Sequence, residues 1–450
     1  MTTLFSLIVI FAVGYLIVKR YNPQTTLFIG GMILMVAGIF FETGMPLPES
    51  ASSGSVALDI FIFVKQTTSK TVAGLGLIIM AVGGFAHYMD HIGASRALVS
   101  IAIKPLGYFK APYLVMALGY LIGQFLNIFI PSASGLGLLL MVTLYPILVR
   151  LGVSKMSATA VIATAACLDL GPASGNANLA ARTADMPVTE YFISYQLPVA
   201  LITMVTIAIL HLFVQRWFDR REVENNDTEI SASESECNPP IWYALLPVIP
   251  LALLLIFSPM AIESVKIDVV TAMFVSIAVA MLCETFRRTP KSVFSDILVY
   301  FDSMGRQFAR VVTLVVAGQT FAHGLKTTGL LNTVIDGALA ASVSPALMVI
   351  LMVLIIALAA IIMGSGNAPF FSFAAIVPDI AGKVGIPAVA MLMPMQLASG
   401  IARSMSPITG AVVAVAGVAG VSPFELVKRT AIPMVGALIV STAASLVIGV

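Results

Sequence analysis

The alternation of long apolar and short polar stretches is the most prominent feature of the chain. A membrane-spanning helix needs about 17–25 apolar residues. Segments near that length cover residues 3–18, 25–41, 72–89, 112–130, 135–149, 157–181, 193–215, 241–258, 267–283, 308–325, 344–363, 387–402 and 430–449. The residue-by-residue alternation typical of a membrane β-barrel does not appear. The pattern therefore predicts an all-α polytopic membrane protein with about ten to fourteen crossings.

Composition agrees with a bilayer environment and narrows the classes of partner. Hydrophobic residues make up 59% of the 450 residues and charged residues only 10%, which is more apolar surface than a soluble core absorbs. The net charge of +2 is too small to indicate a nucleic-acid partner. Cys167, Cys237 and Cys283 lack the spacing of a metal site, so we expect no bound metal at these residues.

One polar segment, residues 216–240, interrupts the apolar pattern near the middle of the chain. It begins with arginines, then turns acidic, and contains few residues able to pack in a core. This composition is typical of a solvated linker. We therefore expect two domains, residues 1–215 and 241–450, on either side of it.

The two halves repeat the same motifs in the same order, at offsets between about 232 and 236 residues. The corresponding segments are "FAHYMDHIG" and "FAHGLKTTG", "PSASGLGLLLMVTLYP" and "MGSGNAPFFSFAAIVP", "GPASGN" and "SPITGA", and the prolines Pro198 and Pro433. Chance supplies single matches of this kind but rarely four in sequence. The chain is therefore predicted to contain two structural repeats.

Clusters of Lys and Arg indicate that the second repeat is inverted in the membrane. Cytoplasmic loops favour these residues. The clusters are Lys19/Arg20, Arg216/Arg220/Arg221, Arg287/Arg288/Lys291 and Lys428/Arg429. When all four are placed in the cytoplasm, the first apolar segments of the two halves run in opposite directions. This orientation puts both termini in the periplasm and the 216–240 linker in the cytoplasm, and inverted repeats with broken segments are typical of secondary transporters.

Four apolar segments are interrupted by poor helix formers at repeat-related positions. The interruptions are "IPSASGLG", "GPASGNAN", "MGSGNAPF" and "SMSPITG". Unpaired backbone groups in lipid are costly, so such breaks persist only where protein or a wet cavity covers them. Because helix N-termini attract anions, paired breaks suit a ligand with two carboxylates. The alternative is that the small residues only permit close helix packing.

Charged and titratable residues inside apolar segments are further candidates, because their burial costs about 2.5–3.5 kcal/mol. Arg403 lies three residues before a break, and its planar guanidinium suits a carboxylate. The alternative is a structural pair with Asp169, and both contacts are compatible with different stages of a cycle. Asp169, His87 and His323 are candidates for a coupling proton, although the histidines equally suit helix packing. Gln396 suits an interhelical hydrogen bond as well as a ligand.

The motifs around the breaks, together with "RSMSPITGAVVAVAG" and "SPFELVKRTAIP", strongly resemble the C-type Dcu family of anaerobic four-carbon dicarboxylate carriers of bacterial inner membranes. The resemblance covers essentially the whole chain and departs most in "CLDLGPASGNAN", which contains Asp169. It implies transport of succinate, fumarate and malate, with a role in succinate efflux.

The resemblance also implies an architecture and a set of site residues. Relatives are homodimers in which a transport domain slides like an elevator against a scaffold domain. Hairpins are implied near residues 120–150 and 344–381, and broken helices near 157–181 and 387–420. The candidate substrate-binding residues are Ser132, Ser134, Gly135, Ser174, Gly175, Asn176, Ser365, Gly366, Asn367, Arg403, Ser406 and Thr409.

The coupling mechanism and the exact cargo stay open at the level of sequence. The carrier exchanges two dicarboxylates, or couples one to protons or to Na⁺ held by carbonyls at the breaks; no other cofactor is expected. The same architecture also suits citrate, a monocarboxylate or an amino acid. A serine protease would need a His or Lys at the depth of "SASG", and a channel would need a continuous polar pore, so the sequence favours neither an enzyme nor a channel.

Overall fold

The computed structural model is all-helical over the residues that it describes, which are 2–19, 21–221, 240–257, 264–330, 333 and 344–449. No strand occurs within these ranges, and six of their helices are long and apolar enough to cross a membrane by length and composition. The prediction of an all-α membrane protein is confirmed at this level. Most of the predicted linker, including Cys237, lies outside the described residues.

Helices of the first half begin and end close to the predicted apolar segments. Their bounds are Thr2–Val18, Pro23–Phe40, Val56–Thr71, Leu77–His91, Ala94–Ile103, Pro112–Asn127, Ala133–Thr143, Tyr145–Arg150, Lys155–Thr164, Gly175–Thr183, Val188–Glu190 and Leu197–Arg221. Several begin with proline, which fits the first helical turn because its missing N–H has no intrahelical acceptor there.

Helices of the second half follow the same pattern. A 3₁₀-helix, Ile241–Val248, leads into a series of α-helices. Their bounds are Ile249–Ile256, Val269–Thr285, Pro290–Gln307, Thr313–Thr327, Pro345–Met363, Asn367–Ala374, Val377–Val384, Ala388–Arg403, Gly410–Ala419 and Pro423–Gly449.

Two helices are longer than the hydrophobic pattern suggests. The amphipathic segments that begin at Val56 and Pro290 continue into the following apolar helices and form unbroken helical stretches as far as His91 and Thr327. Each junction is a π-helical turn, Val72–Gly76 in one and Phe308–Val312 in the other. A π-turn adds a residue without breaking the helix, so a change of amphipathic face occurs within one continuous element.

Glycines allow the Pro23–Phe40 and Thr313–Thr327 helices to approach each other closely. A Cβ atom on Gly31 would lie 2.6 Å from the carbonyl carbon of Thr320, and one on Gly324 would lie 2.6 Å from the Gly31 carbonyl oxygen. Such contacts are the usual basis of helix association where lipid removes the hydrophobic driving force. The first half therefore holds the second by backbone-to-backbone packing.

A buried ion pair joins the Leu197–Arg221 and Pro423–Gly449 helices. Arg429, only 2% exposed, donates to Asp219 and, at 2.6 Å, to the Ser157 hydroxyl. The hydroxyls of Ser154 and Ser157 donate to the same Asp219 oxygen at 2.7 Å, and Tyr113 donates to the other at 3.1 Å. Since every polar group of the pair has partners, the cluster satisfies the condition under which a buried charge is tolerated.

We expect Asp219→Asn to destabilise the protein by about 3–5 kcal/mol, because the change leaves the buried Arg429 guanidinium without a counter-charge. Thermal unfolding of the purified protein in detergent measures this loss. Glu425→Gln is the matched control: its partner Lys428, at 2.7 Å, is exposed, and such surface pairs contribute about 0–1 kcal/mol. Equal losses for both variants would contradict a structural role of the buried pair.

Candidate functional site

Four helices stop inside the protein and are followed by a new helix after a short irregular stretch. These stretches are residues 128–132, 165–174, 364–366 and 404–409. All four overlap the motifs that predicted interruptions. The second begins before its motif and therefore also contains Asp169.

Serine side chains cap three of the helices that resume after the breaks. Ser132 accepts a hydrogen bond from the Gly135 N–H at 3.1 Å, and Ser174 accepts one from the Ala177 N–H at 3.3 Å. Ser365 accepts from the Ala368 N–H at 3.4 Å. These bonds satisfy N–H groups that have no intrahelical partner. A hydroxyl that accepts in this way keeps its own proton to donate to a ligand oxygen.

The fourth break is fixed by an ion pair with the second. Arg403 Nη2 lies 2.9 Å from Asp169 Oδ1 and donates to the Ala166 carbonyl at 2.8 Å. Asn176 donates to the other Asp169 oxygen at 3.0 Å. Asp169 itself has φ of +49°, a left-handed conformation that residues other than glycine rarely adopt and that is frequent at functional sites. The structure thus contains the structural pair, while contact of Arg403 with substrate stays a prediction.

Two buried glutamines satisfy the backbone of the second break. Gln396 Nε2 donates to the carbonyls of Leu168 at 3.1 Å and Asp169 at 3.2 Å. Gln196 donates to Gln396 Oε1 at 2.8 Å and accepts from the Gly171 N–H at 3.0 Å. The interhelical role anticipated for Gln396 is therefore observed, and it supports an unwound segment in an apolar interior.

The breaks lie against one another at glycines. A Cβ on Gly366 would lie 2.9 Å from the Ser399 carbonyl carbon, and one on Gly364 would lie 2.6 Å from Ile408 Cγ1. A Cβ on Gly410 would lie 3.7 Å from the Ser134 hydroxyl oxygen, and Gly400 approaches the second break in the same way. The four interruptions are therefore neighbours in space, although 50 to 200 residues separate many of them in the sequence.

A cavity of about 310 Å³ borders three of the breaks, and we call it the first cavity. Small-molecule sites in proteins begin near this size, at about 300 Å³. The residues that the argument uses are Ser132, Gly175, Asn367, His87, Asp90, Arg306 and Arg310. The first three stand at or beside the N-termini of the helices that follow the breaks, where partial positive charge favours an anion.

The first cavity contains two arginines that the sequence analysis did not identify. Arg306 and Arg310 flank the start of a π-turn in one long helix and both line the cavity. Neither has an ion-pair partner within the part of the chain that the structure describes. A signal for them exists in the sequence, because two arginines four residues apart share a helix face. That signal is weak without knowledge of what the face contacts.

The predicted site residues divide into two groups. Ser132, Gly175, Asn367 and the coupling candidate His87 line the first cavity. Other predicted residues belong to the same four breaks without lining it, namely Ser134, Gly135, Ser174, Asn176, Ser365, Gly366, Arg403, Ser406 and Thr409. His323 lies elsewhere, with Nε2 2.9 Å from the Pro46 carbonyl oxygen and its ring stacked on Phe63 at 3.9 Å.

Two predicted residues present buried oxygen atoms that lack a hydrogen-bond partner among the described residues. These are Asn176 Oδ1 and Ser406 Oγ. Buried polar atoms are nearly always paired, so each exception calls for a water, an ion or a ligand. Amide and hydroxyl oxygens are hard ligands of the kind that bind alkali and alkaline-earth cations. Either atom is therefore suited to Na⁺.

Comparison with known proteins gives one consistent result. A family model described as "DcuC: C4-dicarboxylate anaerobic carrier" matches residues 1–450. The Escherichia coli K12 protein "Anaerobic C4-dicarboxylate transporter DcuC" is 36% identical over 447 residues, covering 99% of this chain and 96% of the relative. The Vibrio cholerae protein "Probable anaerobic C4-dicarboxylate transporter DcuC" is 36% identical over 441 residues, with coverages of 97% and 95%.

A solved structure is similar in fold. The Alcanivorax borkumensis YdaH transporter, described as having an unusual topology, aligns with a TM-score of 0.59 at 17% sequence identity. The alignment covers 95% of this chain and 98% of that one. At this identity the likeness concerns the fold alone.

We expect the Arg403–Asp169 pair to act as a unit in stability. Arg403→Gln and Asp169→Asn should each cost about 3–5 kcal/mol, because each leaves one largely buried charge without its partner. The double variant removes both charges and should lose clearly less than the sum of the single losses. Thermal unfolding in detergent measures the four proteins.

The exposed pair Lys428–Glu425 provides the matched cycle, for which coupling should be close to zero. Additive losses at Arg403 and Asp169 would exclude a structural pair. Transport separates the two roles of Arg403: a double variant that regains stability but moves no dicarboxylate indicates that the guanidinium also contacts substrate.

Proposed function

The chain belongs to the DcuC family of C4-dicarboxylate anaerobic carriers, and we propose that it moves succinate, fumarate and malate across the bacterial inner membrane by alternating access. The observation that carries the proposal is the first cavity, where three helix N-termini face two arginines without ion-pair partners among the described residues. Two separated positive regions suit a ligand with a carboxylate at each end. The relatives are transporters by name, and no catalytic role is assigned to these residues.

The proposed binding mode uses the predicted residues at the breaks. One carboxylate accepts from N–H and hydroxyl groups around Ser132, Gly175 and Asn367, while Arg306 and Arg310 hold the other. Ser174, Ser365 and Thr409 position the helix ends. Arg403 contacts substrate at a stage of the cycle in which its pair with Asp169 is open.

The proposed architecture is two inverted repeats, residues 1–215 and 241–450, with the 216–240 linker in the cytoplasm and both termini in the periplasm. Reciprocal packing supports it. Pro23–Phe40 packs on Thr313–Thr327, and Val269–Thr285 packs on Leu77–His91, so an early helix of each half contacts the corresponding later helix of the other. The π-turns Val72–Gly76 and Phe308–Val312 also begin 236 residues apart.

The proposed movement is an elevator-type displacement of the hairpins and broken helices against a scaffold, within a homodimer. The breaks support this division. Their backbone groups are satisfied by one another and by Gln196, Gln396 and Arg403, so they can move together without exposing unpaired groups to lipid.

The proposed coupling is dicarboxylate exchange or ion-coupled transport. Na⁺ is supported by Asn176 Oδ1 and Ser406 Oγ, the buried oxygens without partners among the described residues. A proton is the alternative ion, with His87, Asp169 and His323 as its candidate carriers. Imposed proton, Na⁺ or voltage gradients in proteoliposomes distinguish these cases by their effect on the initial rate.

We expect proteoliposomes loaded with unlabelled succinate to accumulate labelled succinate by counterflow. Fumarate and malate should compete, because they present the same carboxylate spacing. Arg306→Gln and Arg310→Gln should each raise the KM about tenfold or more, since a hydrogen bond to a charged group contributes about 1.5–3 kcal/mol.

Lys428→Gln, which removes one exposed positive charge elsewhere, is the matched control and should leave the KM unchanged. No counterflow of any C4-dicarboxylate by the folded wild-type protein would overturn the proposed cargo. Competition by citrate, a monocarboxylate or an amino acid, with none by fumarate, would support the alternative carrier of another carboxylate.

The proposed orientation predicts opposite labelling at two exposed positions. In a background without Cys237 and Cys283, Glu42→Cys should react with a membrane-impermeant maleimide added to intact cells, because the loop after Phe40 is placed in the periplasm. Arg221→Cys should react only in inside-out vesicles. Labelling of both from one face would contradict the orientation.

A further inference from the structure

A second cavity lies at the opposite ends of two helices that border the first. It has a volume of about 430 Å³, and its polar lining includes Lys70, Arg182, Gln319, His323, Lys326 and Asp379. Arg182 is in the last turn of Gly175–Thr183, whereas Gly175 at the start of that helix lines the first cavity. A nine-residue helix is about 13 Å long. The two cavities are therefore separated by little more than the length of one short helix.

Cations outnumber acidic groups in the second cavity. Lys326 Nζ lies 3.2 Å from an Asp379 oxygen, which leaves two further cations. Lys70 and Arg182 have exposed side chains and no ion-pair partner among the residues that the structure describes. Two uncompensated positive charges on different elements match a small dianion.

The two cavities are built from corresponding positions of the two halves. Eight lining residues of the second cavity lie 236 residues from lining residues of the first. The pairs are Thr67 with Ser303, Lys70 with Arg306, Thr71 with Gln307, Leu75 with Val311, Gln319 with Gly83, Ala322 with Ala86, His323 with His87, and Lys326 with Asp90. Lys70 therefore occupies the place that Arg306 has in the first cavity.

The helix dipoles act differently in the two cavities. The first receives helix N-termini, which attract an anion, but Arg182 marks a C-terminus, where partial negative charge repels one. An anion in the second cavity therefore depends on side-chain cations, and there Lys326 replaces Asp90 of the first. The alternative is that Arg182 only neutralises its own helix end, but this leaves Lys70, on another helix, unexplained.

The position of Arg182 is fixed by a neighbouring glycine. A Cβ on Gly74 would lie 2.6 Å from Arg182 Cζ, so the guanidinium occupies the space that any other residue at this position would fill. Gly74 belongs to the π-turn Val72–Gly76, just after Lys70. The π-turn thus brings the backbone of one helix up to the cation of another.

We propose that the second cavity is a second binding site for the transported C4-dicarboxylate, entered from the opposite face of the membrane to the first. Lys70 and Arg182 bind its carboxylates, and the Lys326 pair with Asp379 borders the site. The inference rests on the proposed transport function. It adds that substrate arriving from either aqueous phase meets its own cationic site before the breaks rearrange.

Sided transport kinetics test this inference. Labelled succinate uptake is measured in right-side-out and inside-out membrane vesicles for the wild type, Lys70→Gln, Arg182→Gln and Arg306→Gln. Lys70→Gln and Arg182→Gln should each raise the KM about tenfold in one vesicle type and less than twofold in the other. Arg306→Gln should show the opposite preference.

Two controls make the outcome unambiguous. Lys428→Gln should change the KM in neither vesicle type, and Gly74→Ala, which displaces the Arg182 guanidinium while keeping its charge, should reproduce the sidedness of Arg182→Gln. Unchanged KM values for Lys70→Gln and Arg182→Gln on both faces, or equal increases on both, would overturn the second site. Failure of the transport function itself is distinguished because the wild type would then take up no succinate in either vesicle type.

Discussion

Backbone groups that leave a helix within an apolar interior must find partners, and the site of this protein is organised by that requirement. At residues 165–174 the partners are the side-chain amides of Gln396 and Gln196 and the guanidinium of Arg403. At the resumed helices they are the hydroxyls of Ser132, Ser174 and Ser365. Because each break depends on residues of the others, the four form one structural unit.

This mutual dependence has a consequence for charge. The Arg403 guanidinium is engaged by Asp169 and a backbone carbonyl within the unit, whereas Arg306 lies on a long helix outside it and faces the first cavity. Cations at the breaks thus hold structure, while cations on the facing helices remain available to a ligand. A moving unit that meets fixed cations would release its anion when it leaves them, which is compatible with alternating access.

The repeat-related organisation extends beyond the motifs that first indicated it. Both halves contain a long helix with a π-turn, and residues near those turns line the two cavities at a constant separation of 236 positions. The charge pattern is not equally repeated, since Asp90 stands where the other half has Lys326. A difference of this kind gives the two cavities different affinities for the same anion.

The sequence by itself determined the all-helical membrane class, the approximate helix bounds and the four interruptions, because length, apolarity and the presence of Gly, Ser and Pro act locally. It also indicated Arg403 and Asp169 as partners, since a charge inside an apolar segment needs one. Tertiary structure alone decided that Arg306 and Arg310 face a cavity with Ser132 and Asn367, because their amphipathic helix would suit a membrane surface equally well. It likewise decided that Arg182 reaches Gly74. Such contacts depend on how distant helices cross, and no local pattern of residues specifies that crossing.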